Sequence, residues 1–466
     1  MYPPLGVAVN GIGVALSGGG HRASLFGLGA LLYLGDAGKL PQVTSIASVS
    51  GGSLTNGYLA QTLDLTKADD GAAFEQAMAP FAKQVAQRGT LFATPITVAY
   101  AAVLAVTGLA ALILPWLLPI AGVLQFLIFV VALLVWAELV ASRRSWIAAN
   151  AFRRTLFSPT GSPTLLSGIH GGPDYIFCAT DLQSAEQVYF SRSFVYGYRF
   201  GLGTPADLPL HDAVQASACL PGAFPPRWLR ARRFGFHYPD DAVHPDDPCP
   251  DRKDRPPAPP DFLVLTDGGA YDNMADQWAI GRRGRSACFP DPDNVHHEPQ
   301  DLIVVNASAG AEWVPFRRSL IPGIGELLSL LKVKDVLYDQ TTATRRRLLN
   351  DRARQATQTG RGMRIGLVNI PRSPFELPKE FAPHSDAAGQ RAKAALAALG
   401  DTEQHWEQEA TANATWVKTS LSKMGTEVSA RLLHHAYVLA MANLHVTLDY
   451  PLLAVPDRKR FLDLVG

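Results

Sequence analysis

Apolar positions along the chain change period several times, and each change predicts an element. Gly13-Val14-Ala15-Leu16 is a short continuous apolar run, the pattern of a strand covered on both faces. Ala23, Leu25, Phe26, Leu28, Ala30, Leu31, Leu32 and Leu34 follow at helical spacing and stop at Gly35. A second run over residues 43–49 reads as a strand, and Leu54, Tyr58 and Leu59 continue as a helix. Strand patterns recur at residues 175–179, 262–266, 301–306 and 364–370. Residues 344–354 predict a helix carrying Arg345, Arg346, Arg347, Arg352 and Arg354. From about residue 387 the pattern is helical, with Leu421, Met424, Val428, Leu432 and His435 on one stripe. The alternation of strands and helices predicts an α/β fold: a three-layer α/β/α domain around a mostly parallel sheet, with helices at the C-terminal end.

One stretch breaks this rhythm. No charged residue lies between Arg88 and Glu138. Residues 96–114 and 120–140 are two apolar segments of about 20 residues, each long enough to cross a bilayer core, with a break at Pro115-Trp116-Leu117-Leu118-Pro119. Lys83 and Arg88 precede the insert, and Arg143, Arg144, Arg153 and Arg154 follow it, so both ends favour the cytoplasmic side. The uncharged tip leaves two membrane arrangements open, a crossing hairpin and an embedded wedge. A helical pair buried in a large core is the third reading. The expectation is membrane association through residues 94–141, with the rest of the chain on the cytoplasmic side.

Composition narrows the class. The chain has 466 residues, is 47% hydrophobic and carries a formal net charge of +1. That balance argues against nucleic acid as a partner. Cys178, Cys219, Cys249 and Cys288 are dispersed, without zinc or redox spacing, and read as reduced thiols. No signal peptide is expected ahead of the first strand. Residues 239–260 are rich in Pro and Asp and read as a surface loop, with no calcium-loop spacing. His296-His297 and His434-His435 read as ordinary packing or surface pairs. No metal and no cofactor is expected.

Three motifs carry candidate chemistry. Ser17-Gly18-Gly19-Gly20-His21-Arg22-Ala23 lies between the first strand and the first helix, where free N–H groups and the positive helix end suit an anion or an oxyanion. A dinucleotide reading of Gly18-x-Gly20-x-x-Ala23 wants an acidic residue ending the next strand. That strand ends in Ser50, and Asp36 precedes it. A phosphate loop would need Gly-Lys-Ser/Thr, which is absent. Ser48-Val49-Ser50-Gly51-Gly52 places a serine on a second strand-to-helix turn, as a nucleophile elbow does, with Ser48 where such turns usually have glycine. Asp267-Gly268-Gly269 ends a strand with a carboxylate. Each motif has a plainer reading: a tight turn, a solvated serine, a turn aspartate bonded to its own backbone.

In combination the chain resembles the patatin-like phospholipases and the related cytosolic phospholipase A2 group. The resemblance rests on Ser-Gly-Gly-Gly-x-Arg followed about 30 residues later by the serine turn. It continues through Ala179-Thr180-Asp181-Leu182, the run from Ala216-Ser217-Ala218-Cys219 to Pro225-Pro226, and Asp267-Gly268-Gly269 with Asn273, covering residues 11–93 and 145–310. It implies a Ser-Asp dyad cleaving fatty-acyl esters of membrane lipids. Ser50 would attack the ester carbonyl and Asp267 would accept its proton. Gly18, Gly19, Gly20 and Arg22 would form the oxyanion hole. Arg22 could instead orient the glycine loop, meet a lipid phosphate or pair with an acid. The expected organisation is a catalytic core over 1–93 and 142–372, the hydrophobic hairpin at 94–141, and a helical region at 373–466. The departures are Ser48 and the insert. Ser48 motivates one alternative, an idle membrane scaffold that keeps the fold. Another is a Ser-His-Asp hydrolase drawing on His296, His297, His384 or His434. Its loop and serine should stand further apart than they do here.

Overall fold

The computed structural model describes residues 11–68, 70–158, 161–237, 260–280, 299–308, 322–359 and 362–466. The loop expected at 239–260 lies outside them except for Pro260, as do His296, His297, Cys249 and Cys288.

Ten strands among the described residues form one sheet. In chain order they are β1 (Ile12–Leu16), β2 (Val43–Ser48), β3 (Asp174–Asp181), β4 (Glu186–Phe190), β5 (Val195–Gly197), β6 (Gly201–Gly203), β7 (Arg227–Arg230), β8 (Phe262–Asp267), β9 (Asp301–Asn306) and β10 (Arg364–Asn369). The order β10-β9-β1-β2-β3 is parallel throughout. Every residue of β1 and of β9 is buried, the reason their sequences are continuous apolar runs rather than alternating ones. Beyond β3 the pairing turns antiparallel, where short connections permit hairpins. One branch is β4-β5-β6. The other is β8-β7, which places Asp267 opposite Ala179 of β3.

The helices that matter for the site are α1 (Gly20–Asp36), α2 (Gly51–Thr62), α3 (Pro95–Ile113), α4 (Gly122–Leu139), α5 (Arg144–Phe152), α6 (Leu210–Ser217), α7 (Pro322–Thr359) and α8 (Thr426–Leu448). α1 is buried from Gly20 to Gly35 because the sheet covers one side and α8 the other. Gly29 permits the closest approach: a Cβ there would lie 2.4 Å from Leu433 O. The rings of Tyr33 and Tyr437, and of Phe26 and His435, meet edge to face across this contact. The apolar side chains of α1, β1, β2 and α8 belong to one continuous core, so the C-terminal helices build the same hydrophobic interior as the glycine loop and the serine turn.

Two elements differ from their sequence expectation. α8 begins only at Thr426, after Gly425 at φ 84°, so Leu421 and Met424 stand in an irregular segment despite their helical spacing. The basic helix expected at 344–354 is the C-terminal part of the longer α7.

The insert forms a helical pair, α3 and α4, joined through Leu114–Leu117. No residue of α4 is buried, and Val106 and Val123 are 68% and 77% exposed. The buried-core reading of residues 94–141 therefore fails. These side chains form an apolar surface far larger than isolated exposed hydrophobes would. The pair is held internally: Trp136 Nε1 donates to Thr107 Oγ1 at 3.2 Å, and Tyr100 hydroxyl donates to Val140 O at 2.6 Å. Gly108 lets the Trp136 ring close in, since a Cβ there would lie 3.0 Å from it.

Candidate active site

Ser50 is built by the turn between β2 and α2. Its φ of 52° and ψ of −117° put a non-glycine residue in a conformation that L side chains rarely adopt. Its neighbours have no space for side chains. A Cβ on Gly51 would lie 2.0 Å from Gly20 O, and one on Gly52 would lie 2.5 Å from Leu16 O. The serine turn is thus clamped against the glycine loop.

Ser48 does not weaken this turn. Its side chain is buried, its Oγ donates to Ile176 O at 2.9 Å, and it accepts from Ser53 Oγ at 3.0 Å and from Asn56 Nδ2 at 2.9 Å. Ser53 Oγ lies 2.8 Å from Ser217 Oγ, which accepts from the Ser50 N–H at 3.1 Å. With one proton per hydroxyl, the chain runs Ser217 to Ser53 to Ser48 to Ile176 O, every donor satisfied. The serine at 48 is the buried end of a network that terminates on the backbone of Ser50.

Asp267 ends β8 and is buried. Its Oδ1 accepts from Gly269 N at 2.8 Å, its N–H donates to Cys219 O at 2.9 Å, and its carbonyl accepts from Thr180 Oγ1 at 3.1 Å. The acid and serine turns share one anchor. Ser217 O, at the end of α6, accepts from both Ser50 N and Gly268 N at 3.2 Å. Ser217 belongs to the 216–226 run in the sequence, which offers no sign that it joins the two turns.

The glycine loop enters from the other side. Gly19 at φ 139° and Gly20 at φ 60° hold conformations suited to glycine. No described residue accepts from their N–H groups. Gly18 differs from expectation: its N–H donates to Asn273 O at 3.0 Å, which removes it as an oxyanion donor. Its role is close approach, since a Cβ there would lie 2.3 Å from Asn273 Oδ1 and 3.3 Å from Ser50 Cβ. Arg22 also departs from its expected place in the hole. Nε donates to Ala307 O at 3.0 Å and Nη1 to Val417 O at 2.6 Å, which ties the loop to β9 and the C-terminal segment. Burial lowers this guanidinium to about 10.

These groups meet in a cavity of about 730 Å³ lined by Ser50, Asp267, Gly18, Gly19, Gly20 and Arg22. Thr419, Ser420 and Leu421 of the irregular segment close one side, and Ser420 O accepts from His21 N at 2.9 Å. α7 forms another wall. It is docked by Arg345, whose Nε lies 2.8 Å from Asp272 and 3.0 Å from Asp276. Burial, then the Asp272 charge, pushes the Asp276 carboxyl well up. Arg345 is therefore held between two buried carboxylates.

No histidine of the described residues lines the cavity. His21 is buried between Ser422 O at 2.7 Å and Thr90 Oγ1 at 2.9 Å. His435 lies 2.9 Å from Arg372 O, and His434 lies 3.0 Å from Pro456 O. Burial pushes all three down to about 4. Unfolded, they titrate near 6.5, so between pH 6.5 and 4 the unfolded chain takes up protons that the native state refuses. Stability is therefore full above pH 6.5 and falls toward pH 4. The raised Asp276 carboxyl acts with the opposite sign, so the histidine share is read as a difference: the fall in melting temperature on acidification should be smaller in His434→Gln than in wild type, and an equal fall would contradict a neutral buried His434.

A serine at positive φ between a parallel strand and a helix, packed against a glycine loop and lining the same cavity, places this chain in the α/β class with a sharp strand-to-helix serine turn. A family model for patatin-like phospholipases matches residues 14–275, more than half of the chain. The chain belongs to the patatin-like phospholipase family. Among solved structures, human GIVD cytosolic phospholipase A2 is 13% identical, with a TM-score of 0.41, over 98% of this chain and 62% of that one. The same human enzyme with a fluorophosphonate inhibitor and terbium chloride is 19% identical, with a TM-score of 0.27, over 44% of this chain and 29% of that one. VipD from Legionella pneumophila is 12% identical, with a TM-score of 0.25, over 94% and 86%. The chain thus spans less than two thirds of the human enzyme's length. No curated protein sequence gives a significant match.

Proposed function

We propose that the protein is a membrane-tethered serine acyl hydrolase that cleaves fatty-acyl esters of membrane lipids through a Ser50–Asp267 dyad. The observation that carries this reading is Ser50 at φ 52°, held by the Ser217 anchor it shares with the Asp267 turn, in one cavity with that carboxylate. Ser50 Oγ attacks the ester carbonyl while Asp267 takes its proton. The N–H groups of Gly19 and Gly20 receive the oxyanion. Collapse of the tetrahedral species expels the alcohol with that proton and leaves an acyl-serine. Water then attacks, Asp267 accepts its proton, and Ser50 regains a proton as the fatty acid leaves. Arg22 positions the loop. Leu220, Ala223 and Phe224 offer the acyl chain an apolar wall.

The exposed apolar pair α3 and α4 supports a hairpin seated in a bilayer, and the flanking arginines favour the cytoplasmic side for the core. The idle-scaffold alternative loses its motivation, because Ser48 serves the turn rather than spoiling it.

A fluorophosphonate probe tests the reading. The wild-type protein should label covalently and Ser50→Ala should not, with equal melting temperatures. Lipid extracts from cells expressing wild type should show more free fatty acid than those expressing Ser50→Ala. Wild-type protein that neither labels nor changes the lipids would favour the scaffold.

A further inference from the structure

The cavity at Ser50 has two unlike walls. One is apolar and contains Leu220, Ala223 and Phe224. Its backbone is fastened to the foot of the hairpin, because Arg144 donates to Gly222 O at 3.4 Å and Ser145 Oγ donates to Pro225 O. The other wall is polar and comes from α7: Tyr338, Asp339, Thr342 and Arg346. These positions form one stripe of a helix. α7 lies outside residues 14–275, so the family match does not cover it.

Two donors on this stripe stand ready. The Tyr338 hydroxyl is buried and has no hydrogen-bond partner among the described residues. A buried hydroxyl left so is unfavourable unless something binds it. Its ring edge lies close to the acid turn: a Cβ on Gly269 would be 2.8 Å from Tyr338 Cε1 and 3.0 Å from Asp267 Oδ1. Burial, then the Asp267 charge, pushes the phenol far up, so it remains a neutral donor. The Thr342 hydroxyl is occupied, donating to Tyr338 O at 2.8 Å. Arg346 lines the cavity with an exposed side chain. The other two arginines nearby are committed, Arg22 to carbonyl oxygens and Arg345 to Asp272 and Asp276. Eight residues place Arg346 about 12 Å beyond Tyr338 along the axis; both side chains lean toward the helix N-terminus, and the longer, flexible arginine spans more of that gap than the tyrosine ring gives up.

We propose that this stripe is a headgroup subsite, in which Arg346 and the Tyr338 hydroxyl donate to the phosphate of a glycerophospholipid whose acyl chain lies on the apolar wall. A planar guanidinium suits two phosphate oxygens. Asp339 on the same stripe repels a second negative charge, so a phosphodiester is preferred to a phosphomonoester. The inference rests on the hydrolase reading for the direction of the acyl chain, but its binding claim can be tested apart from turnover.

The test uses full-length Ser50→Ala protein in detergent and three soluble dihexanoyl ligands: phosphatidylcholine, phosphatidate and the neutral diacylglycerol. Calorimetric titration should show phosphatidylcholine binding at least about ten-fold more tightly than the diacylglycerol, a ratio set by charge-assisted bonds to the phosphate. Phosphatidate should fall between them. Arg346→Ala should erase the ratio, Arg346→Lys should keep part of it, and Tyr338→Phe should reduce it several-fold, each at an unchanged melting temperature. An unchanged ratio in folded Arg346→Ala and Tyr338→Phe overturns the subsite. So does displacement of phosphatidylcholine by inorganic phosphate at equal concentration, which marks a general anion site. Phosphatidate binding tightest overturns the diester assignment. If wild type hydrolyses no ester while the Arg346-dependent ratio holds, the hydrolase reading fails and the subsite stands. If hydrolysis is robust and the ratio is absent, only the subsite fails.

Discussion

Asp267→Asn is expected to lower ester turnover as far as Ser50→Ala does, by roughly 10³-fold or more, with the double variant no worse than either single one. The reason is chemical. The serine hydroxyl needs a proton acceptor at the moment of attack, and an amide is not one. The substitution spares the fold, because asparagine keeps the oxygen that accepts from Gly269 N at 2.8 Å and the strand end stays pinned at Cys219 O. Kinetics on a soluble p-nitrophenyl ester, with melting temperature as the control, measure this. The histidines supply the contrast. His384→Ala should retain most activity, and His434→Gln should too after allowance for its packing. A single histidine substitution matching the Ser50→Ala loss would favour the Ser-His-Asp mechanism instead.

Replacing residues 94–141 by a short Gly/Ser linker should move the protein from the membrane fraction to the soluble one. Apolar residues in two segments of about 20 each contribute a few tenths of a kcal/mol apiece to insertion. The ends of the insert lie close enough for a short bridge, since Tyr100 near its start bonds Val140 near its end at 2.6 Å. Arg144 and Ser145, which hold the loop around Gly222 and Pro225, remain in the linker variant. Soluble-ester turnover should therefore survive within a few-fold, while turnover of bilayer lipid falls at least about ten-fold through lost local concentration. Carbonate-washed membranes and vesicle assays report both halves. A linker variant that stays in washed membranes, or one that loses soluble-ester turnover, would defeat the tether.

What the sequence determined is local. Continuous apolar runs identified β1 and β9, because a strand covered on both faces has no polar side to alternate. Glycine, serine and aspartate at strand ends marked the three turns, because few residues accept those backbone conformations. The insert was visible because length and absence of charge are properties of the chain itself.

Tertiary structure decided the rest. Ser217 O joins Ser50 N to Gly268 N, residues more than two hundred positions apart, and a backbone carbonyl has no sequence signature. Ser48 departs from the usual elbow pattern until Ser53, Asn56 and Ile176 are seen around it. The Gly18 N–H is taken by Asn273 O, and of the readings open for Arg22 the bonds to Ala307 O and Val417 O favour orienting the loop. Leu421 kept helical spacing but lines the cavity from an irregular segment, because Gly425 delays the helix. The exposure of α3 and α4 and the polar wall of α7 depend on which surfaces fold together. Periodicity states which face of an element is apolar; only packing states what that face meets.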